Sequence, residues 1–189
     1  LSGGISYNPS MHFNSNYLTS SKGSTDFLGF DDGLRTIPTD RKTNIPFRTN
    51  ALIDPQGVGK EYRRILDGFN PNMAVSQPRS FADFNLGFSL GNQIQKTGYS
   101  IGYNFGFSYI NTTEYYTDVE YNLYGKDRIS SNYELEERVK QKGSYGSNNV
   151  LLAGLGGFSV KTKTSKIALS LMHIQNGESK NGIFNYSST

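Results

Sequence analysis

The dominant pattern along this chain is an alternation of large and small side chains. In the stretch YSIGYNFGFSYI (99–110), every odd position carries a large apolar or aromatic residue. The even positions carry Ser, Gly or Asn, except for the last, which is Ile110. A period of two residues is that of a β-strand whose two faces meet different surroundings. The sequence therefore predicts a strand here with one apolar and one polar face.

The same alternation predicts five strands in all. They are expected at about 4–17, 81–94, 99–123, 149–160 and 166–175. In the first of them, Pro9 fits only a strand edge or a bulge, because proline cannot donate to a strand ladder. In the third, the apolar odd positions continue through Tyr121 and Leu123. In the fourth, the apolar residues change parity at Gly156 and Gly157, where we expect a bulge that shifts the register.

The connections between these strands alternate between short and long. Short polar turns are expected at about 95–98 and 161–165, and long loops at about 19–80 and 125–146. In an up-and-down meander, all short turns then lie at one end of the sheet and all long loops at the other. Outer-membrane barrels have this asymmetry, with short periplasmic turns and long external loops. Within the first long loop, apolar residues at helical spacing predict one amphipathic helix at about 58–67, ended by Gly68.

The apolar face is predicted to contact lipid. A tilted strand needs about 9–11 residues to cross the hydrocarbon layer, and both 84–94 and 99–109 supply that length. The residues expected to face lipid are Phe84, Leu86, Phe88, Leu90, Ile101, Tyr103, Phe105 and Phe107. The residues expected to face the lumen or a plug within it are His12, Asn85, Gly87, Ser89, Gly91, Gly102, Asn104 and Gly106. This second set is small and nearly uncharged, whereas the water-facing side of a soluble sandwich usually carries charges.

Composition agrees with an all-β protein. The chain of 189 residues is 35% hydrophobic and contains 21 Gly, 13 Tyr and 12 Phe. It is too aromatic for disorder and too rich in glycine for a helical domain. The net charge is +3 and the basic residues are scattered, so no nucleic-acid partner is predicted. The absence of cysteine excludes disulfides and thiolate metal sites. We predict an all-β, antiparallel up-and-down transmembrane β-barrel.

One segment of the first long loop resembles a known family. KGSTDFLGFDDGLRTIP (22–38) is similar to a motif found early in the barrel of TonB-dependent outer-membrane receptors of the Bacteroidetes type. The matching positions are Gly23, Thr25, Asp26, Phe27, Leu28, Gly29, Phe30, Asp31, Asp32, Gly33 and Arg35. Phe27 stands where the family often has Trp. The stretches 69–75, 84–93 and 167–186 resemble those that follow in the same order.

The resemblance implies a 22-stranded barrel filled by an N-terminal plug domain. It also implies import of a nutrient, energised through a periplasmic contact with TonB, and a location in the bacterial outer membrane. This chain is then expected to be an internal fragment holding about the first five strands, with the plug domain outside it. The implied partners are outer-membrane lipid, the protein's own plug and TonB. Other outer-membrane subunits and a surface lipoprotein are further candidates.

Few residues suggest a chemical site. Asp26, Asp31 and Asp32 are candidates for a calcium site, since clustered carboxylates suit that ion. Turn chemistry and an ion pair with Arg35 are the alternative. His12 and His173 are the only histidines, and two imidazoles alone make a poor metal site.

No catalytic arrangement is recognisable in the sequence. GVGK (57–60) and GLGG (154–157) lack the spacing of a phosphate-binding loop. No cofactor is predicted, and the protein is not expected to be an enzyme. Two other functions stay open at this point. One is a structural barrel subunit of a larger outer-membrane assembly or secretion complex, and the other is a soluble, secreted β-sandwich binding module.

Overall fold

A computed structural model describes residues 1–39, 44–72, 74–126 and 133–188 of the chain. Five strands form one antiparallel sheet in sequence order. The strands are β1 (Ser2–Ser6), β2 (Asp83–Lys96), β3 (Tyr99–Lys126), β4 (Leu135–Thr162) and β5 (Lys166–Ser188). The prediction of an all-β, antiparallel meander is confirmed, and the sheet is open. Its short turns lie at one end, here the turn end, and its long connections lie at the other, here the loop end.

The helical structure lies in the segment between β1 and β2. Helix α1 spans Arg48–Ile53 and helix α2 spans Val58–Asp67. The second agrees with the predicted helix, which Gly68 follows. The two helices pack tightly, since a Cβ atom on Gly59 would lie 2.6 Å from the carbonyl oxygen of Ala51. A single 3₁₀ turn spans Asp26–Leu28.

The first strand is much shorter than predicted. It ends at Ser6, and the chain then turns because the amides of Met11 and His12 donate to the carbonyl of Asn8. The Asn8 side chain also accepts from the amide of Ser10. These local bonds replace a strand ladder in which Pro9 could not donate. The placement of His12 on a strand face is therefore wrong.

The fourth and fifth strands are longer than predicted. β4 begins at Leu135 rather than at about 149, and β5 ends at Ser188 rather than at about 175. Most of the predicted loop at 125–146 is thus strand, and residues 127–132 lie outside the described part. Backbone ladder bonds hold these segments together although the alternation fades there. An edge contact between Tyr121 and Phe184 also joins β3 to β5 in this region.

The strand register defines the two faces of the sheet. Phe88 pairs with Phe107 and Leu90 with Phe105, and directly paired residues project from the same face. By this register the eight predicted lipid-facing residues share one side, here the apolar face. The predicted lumen-facing residues, apart from His12, share the other side, here the polar face. The two sets therefore lie on opposite faces of the sheet, and their contacts with lipid and lumen stay predictions.

The expected bulge at Gly156 and Gly157 is wrong. β3 and β4 pair without interruption through both glycines. The apolar residues of β4 change from odd to even positions because those before the glycines lie on one face of the sheet and those after them lie on the other. Phe158 pairs with Tyr103 on the apolar face, whereas Leu155 pairs with Gly106 on the polar face.

The pairing of β3 with β4 shifts register at two places, between Tyr116 and Val119 and between Leu123 and Tyr124. The first is a bulge that inserts one extra residue into β3 relative to β4, and Asp118 has a left-handed φ of 56° there. Because one inserted residue reverses the alternation, Tyr121 and Leu123 lie on the polar face. The prediction that Tyr121 and Leu123 lie on the apolar face is therefore wrong.

The segment between β1 and β2 packs on the apolar face near the loop end. Tyr17 and Leu18 are buried there with Tyr115 of β3, and Val75 packs against them. A Cβ atom on Gly146 of β4 would collide with the backbone of Leu18. The only hydrophobic cluster formed by buried side chains within the described residues thus lies between this segment and the upper sheet.

Candidate functional site

The largest chemical feature of the sheet is an exposed apolar belt. We define the belt as the apolar-face side chains of 86–94, 99–109, 152–160 and 167–171. Its large apolar side chains include Phe107, which is 36% exposed, and Ile167, which is 76% exposed. Tyr109 at its upper end contacts the segment 22–38, whereas Leu86, Phe88, Phe105 and Leu169 are each at least 40% exposed. Monomeric soluble proteins rarely expose contiguous apolar patches of more than a few hundred Å².

The height of the belt is somewhat less than that of the apolar band of membrane barrels. The eight residue steps from Leu86 to Ile94 correspond to about 27 Å along the strand. With the tilt of about 35–45° found in membrane barrels, the belt would be roughly 20 Å tall. The apolar band of such barrels is about 25 Å tall.

The polar face carries small side chains at the same height. Gly87, Ser89, Gly106, Ser108 and Ala153 floor a shallow depression of about 460 Å³. Three apolar side chains from β4 and β5 stand beside this floor, namely Leu155, Met172 and Ile174. The face therefore offers a flat, weakly polar surface on which another folded element could pack closely.

The segment 22–38 docks on the apolar face directly above the belt. The hydroxyl of Tyr109 donates to the carbonyl of Phe27 at 2.6 Å. The Gln175 amide donates to the carbonyl of Gly29, also at 2.6 Å. The Phe30 ring stacks on His173, with 6.3 Å between the ring centroids. Two strands thus hold the segment in place.

The carboxylates of this segment hold the loop together. Asp26 accepts from both terminal nitrogens of Arg35 at 2.8 and 2.7 Å and from the Gly23 amide at 2.8 Å. Hydrogen bonding from Arg35 lowers the pKa of Asp26. Asp32 accepts from the amide and hydroxyl of Ser24, and these bonds lower the pKa of Asp32.

The calcium prediction gains no support from this arrangement. Asp31 lies 3.6 Å from Arg35, so it belongs to the same ion-pair network as Asp26. Within the described ranges, no group of three or more His, Cys, Asp or Glu is placed to hold a metal ion.

A cavity of about 290 Å³ lies between the docked segment and the sheet. Its floor includes Asn111, Asn148 and Val150, and Lys22 and Arg35 contribute to its lining. The Asn148 amide donates to Asn111 and to the carbonyl of Thr112, at 3.0 Å each. These bonds tie β4 to β3 beneath the docked segment.

The two histidines have different partners. The His12 ring is buried, and its Nε2 lies 3.1 Å from both the Thr113 carbonyl and the Asp83 carboxylate. Its Nδ1 accepts from the Asn8 amide at 2.9 Å, so Nε2 carries the proton in the neutral ring. His12 therefore fastens the turn after β1 to the sheet, whereas His173 belongs to the docked segment's contact.

Sequence reasoning missed an aromatic strip on the polar face beyond the bulge. Tyr121 and Phe184 meet there edge to face, with 5.3 Å between ring centroids. Tyr186 pairs with Gln141 beside them and lies on the same face. The only signal in the sequence is Thr117-Asp118, where aspartate is a poor strand former.

Comparison of the chain with protein-family models, curated proteins and solved structures finds no match. None of the helices in the described ranges has the length and apolar character needed to cross a membrane. The features that bear on function are therefore the two unlike faces of the sheet and the docked segment 22–38.

Proposed function

We propose that this chain forms part of the wall of an outer-membrane β-barrel of the TonB-dependent receptor type, which imports a nutrient. The observation that carries the proposal is the belt. Full transfer of a large apolar side chain out of water is favourable by about 1.5–3 kcal/mol, and the belt side chains would gain the part that corresponds to their exposed fraction. Hydrocarbon at this face would provide that gain along the whole width of the sheet.

The open edges of the sheet support a larger barrel. β1 pairs only with the Asp83–Gly87 part of β2, and the outer edge of β5 has no partner strand among the described residues. Long unpaired edges expose backbone donors and acceptors that normally pair with further strands. Closure of the sheet by additional strands would satisfy both edges and leave no backbone group unpaired in lipid.

The polar face has the character expected of a lumen that holds a plug domain. Its glycines and serines would let a second backbone approach the wall, while the belt stays in lipid on the other side. In this mechanism the wall is static and the plug opens when TonB acts on it from the periplasm. The energised step and the import of a nutrient are proposed from the resemblance of the 22–38 segment and of the stretches that follow it.

Spin labelling tests the barrel directly. The chain has no cysteine, so a single cysteine can replace Phe105 on the belt, with Asn104 on the polar face as the matched control. In bilayers, we expect the label at 105 to be relaxed by dissolved oxygen and shielded from a water-soluble nickel complex. The label at 104 should show low access to oxygen. Strong nickel access and weak oxygen access at 105 would refute the barrel.

Transport is tested separately in cells. We expect uptake by the full-length protein to stop when the proton gradient is collapsed or when TonB is deleted. Uptake that continues under both conditions would refute the energised mechanism while leaving the barrel intact.

A structural subunit of a larger outer-membrane assembly is the second candidate. It is favoured by exposed apolar side chains around α1, where Phe47 is 77% and Ile53 is 83% exposed. These side chains lie away from the belt and resemble the centre of a protein interface. Stoichiometric co-purification with other subunits, lost on Ile53→Asp but not on Thr49→Asp, would support this candidate.

A further inference from the structure

We infer that the segment between β1 and β2 supplies the upper aromatic girdle of the barrel, in contact with the headgroup region of the lipid. This inference rests on the proposed membrane location. The girdle would be an interaction surface whose partner is a lipid surface, formed mostly by loop residues rather than by strands.

The girdle consists of aromatic side chains placed between the end of β1 and β5, of which those from Tyr7 to Tyr109 are joined by ring contacts. We call it the aromatic row, and its members are Tyr7, Phe13, Phe81, Phe84, Tyr109, Phe27, Phe30 and His173.

Ring contacts join the row on the side of β1 and β2. The centroids of Tyr7 and Phe13 are 5.8 Å apart, and those of Phe13 and Phe81 are 5.7 Å apart. Phe81 meets Phe84 of β2 at 6.4 Å, and Phe84 stacks on Tyr109 of β3 at 5.6 Å. Towards β5, the Tyr109 hydroxyl donates to the backbone carbonyl of Phe27, and the Phe30 ring stacks on His173 of β5.

The row overlaps the upper end of the belt, because Tyr109 belongs to both and pairs with Leu86. Leu86, one apolar-face position below Phe84, is 53% exposed. Above the row, Tyr115 is 6% exposed because it packs with Tyr17 and Leu18, and Val150, which faces the segment 22–38 across the cavity, is 3% exposed. Rings at this level stand between an apolar surface and a polar covering. Aromatic side chains favour that position at a membrane interface, where girdles of such residues flank the apolar band.

Most of the row comes from outside the strands. Only Phe84, Tyr109 and His173 are strand residues, whereas the other members lie in the segment before β2. Tyr7, Phe27 and Phe81 keep about 60% of their surface exposed. A lipid surface is the partner that fits these side chains, because the row adjoins the exposed belt at Phe84 and Tyr109.

The docking contacts make this loop a fixed part of the wall. Gly29 adopts a left-handed φ of 78°, and a Cβ atom on Gly177 would lie 2.5 Å from its Cα. The close approach of these two backbones fixes the segment that carries Phe27 and Phe30 against β5. A mobile loop could not form a girdle at a defined depth.

Depth measurements on the full-length protein in bilayers test the inference. Single spin labels at 27 and 81 are compared with a label at 105 in the belt and a label at 52 on α1. We expect the labels at 27 and 81 to lie at intermediate depth, between a deep label at 105 and an aqueous label at 52. Labels at 27 and 81 as aqueous as the one at 52, with 105 deep, would overturn the girdle and leave the barrel standing. An aqueous label at 105 would overturn both.

A second measurement separates lipid contact from packing within the protein. The double variant Phe27→Ser, Phe81→Ser is compared with Phe47→Ser, which changes an exposed aromatic residue away from the row. We expect the double variant to lower the unfolding temperature in bilayers more than in detergent, and Phe47→Ser to show no such difference. Equal losses in both media would mean that the rings serve only internal packing, and would overturn the inference.

Discussion

The backbones of Gly29 and Gly177 lie in direct contact, and neither position has room for a side chain. A Cβ atom on Gly177 would lie 2.5 Å from the Gly29 Cα, and one on Gly29 would lie 3.0 Å from the Gly177 nitrogen. The contact joins the loop before β2 to the last strand, 148 positions later in the sequence. Segment 22–38 can pack this closely on the sheet only because both positions lack a side chain.

The first prediction concerns this contact. Gly177→Ala should push the docked segment from the sheet and destabilise it by about 1–3 kcal/mol, the usual cost of overpacking. Trypsin cleavage after Lys22 and Arg35 would then become faster. Gly154→Ala is the matched control, because a Cβ atom there meets nothing within 4 Å. Equal cleavage rates in the two variants would contradict the close contact.

The second prediction concerns acid. Hydrogen bonding from Arg35 lowers the pKa of Asp26 below its ordinary value of 3.8. The bond between Asp26 and Arg35 therefore contributes its full stabilisation above a pH of about 3.8. That stabilisation is lost as the pH falls through the lower pKa that Asp26 has in the folded state. A spin label at position 28 should become mobile over that range. Asp26→Asn should be less firmly docked at neutral pH and show a smaller acid step. The step should not vanish, because the pKa of Asp32 is lowered as well.

The third prediction concerns alkali. Burial raises the pKa of Tyr17 from 10.0 to about 12. Between these values the unfolded chain loses the phenol proton and the folded chain keeps it, so stability falls as the pH rises. A pKa difference of about 2 corresponds to at most about 2.7 kcal/mol. Tyr17→Phe keeps the edge contact with Tyr115 and should flatten this decline in chemical unfolding experiments. An unchanged decline in Tyr17→Phe would contradict the assignment.

The fourth prediction concerns the bulge in β3. Deletion of Asp118 removes the extra residue, so regular alternation from Tyr116 keeps Tyr121 on the polar face beside Phe184. The chain has no tryptophan, so Tyr121→Trp provides a fluorescence probe of that face. We expect the emission maximum to be unchanged in the Asp118 deletion. Deletion of Glu120 is the control, because it leaves the bulge in place and moves residue 121 by one step to the apolar face. A shift in the Asp118 deletion equal to that in the Glu120 deletion would contradict the assignment of the bulge.

The periodic core of the fold could be predicted from the sequence. Strong alternation located β2 and the lower part of β3 to within a few residues, and it placed Leu86 and Phe105 on the same face. A period of two leaves little freedom there, because a slip by one residue would reverse every side chain. The helix at 58–67 was predicted for a similar reason, since its apolar spacing is that of an α-helix.

Other elements depended on local bonding that periodicity does not report. The apparent alternation after Ser6 belongs to a turn closed by Asn8. The hairpin that β3 and β4 form beyond the bulge is held by ladder bonds, which a weak alternation does not report. The carboxylates of 22–38 could be recognised as a cluster. Only the folded loop shows that Arg35 and Ser24 occupy two of them.

The amino-acid sequence alone determined that this is a sheet with two unlike faces, because alternation is a local property of neighbouring residues. Only the tertiary structure decided which elements cover those faces. The contact of Gly29 with Gly177, the burial of His12 and the aromatic row all join residues that are far apart in the chain. Such contacts depend on the path of the whole backbone, and a single inserted residue at the β3 bulge is enough to redirect the side chains that follow.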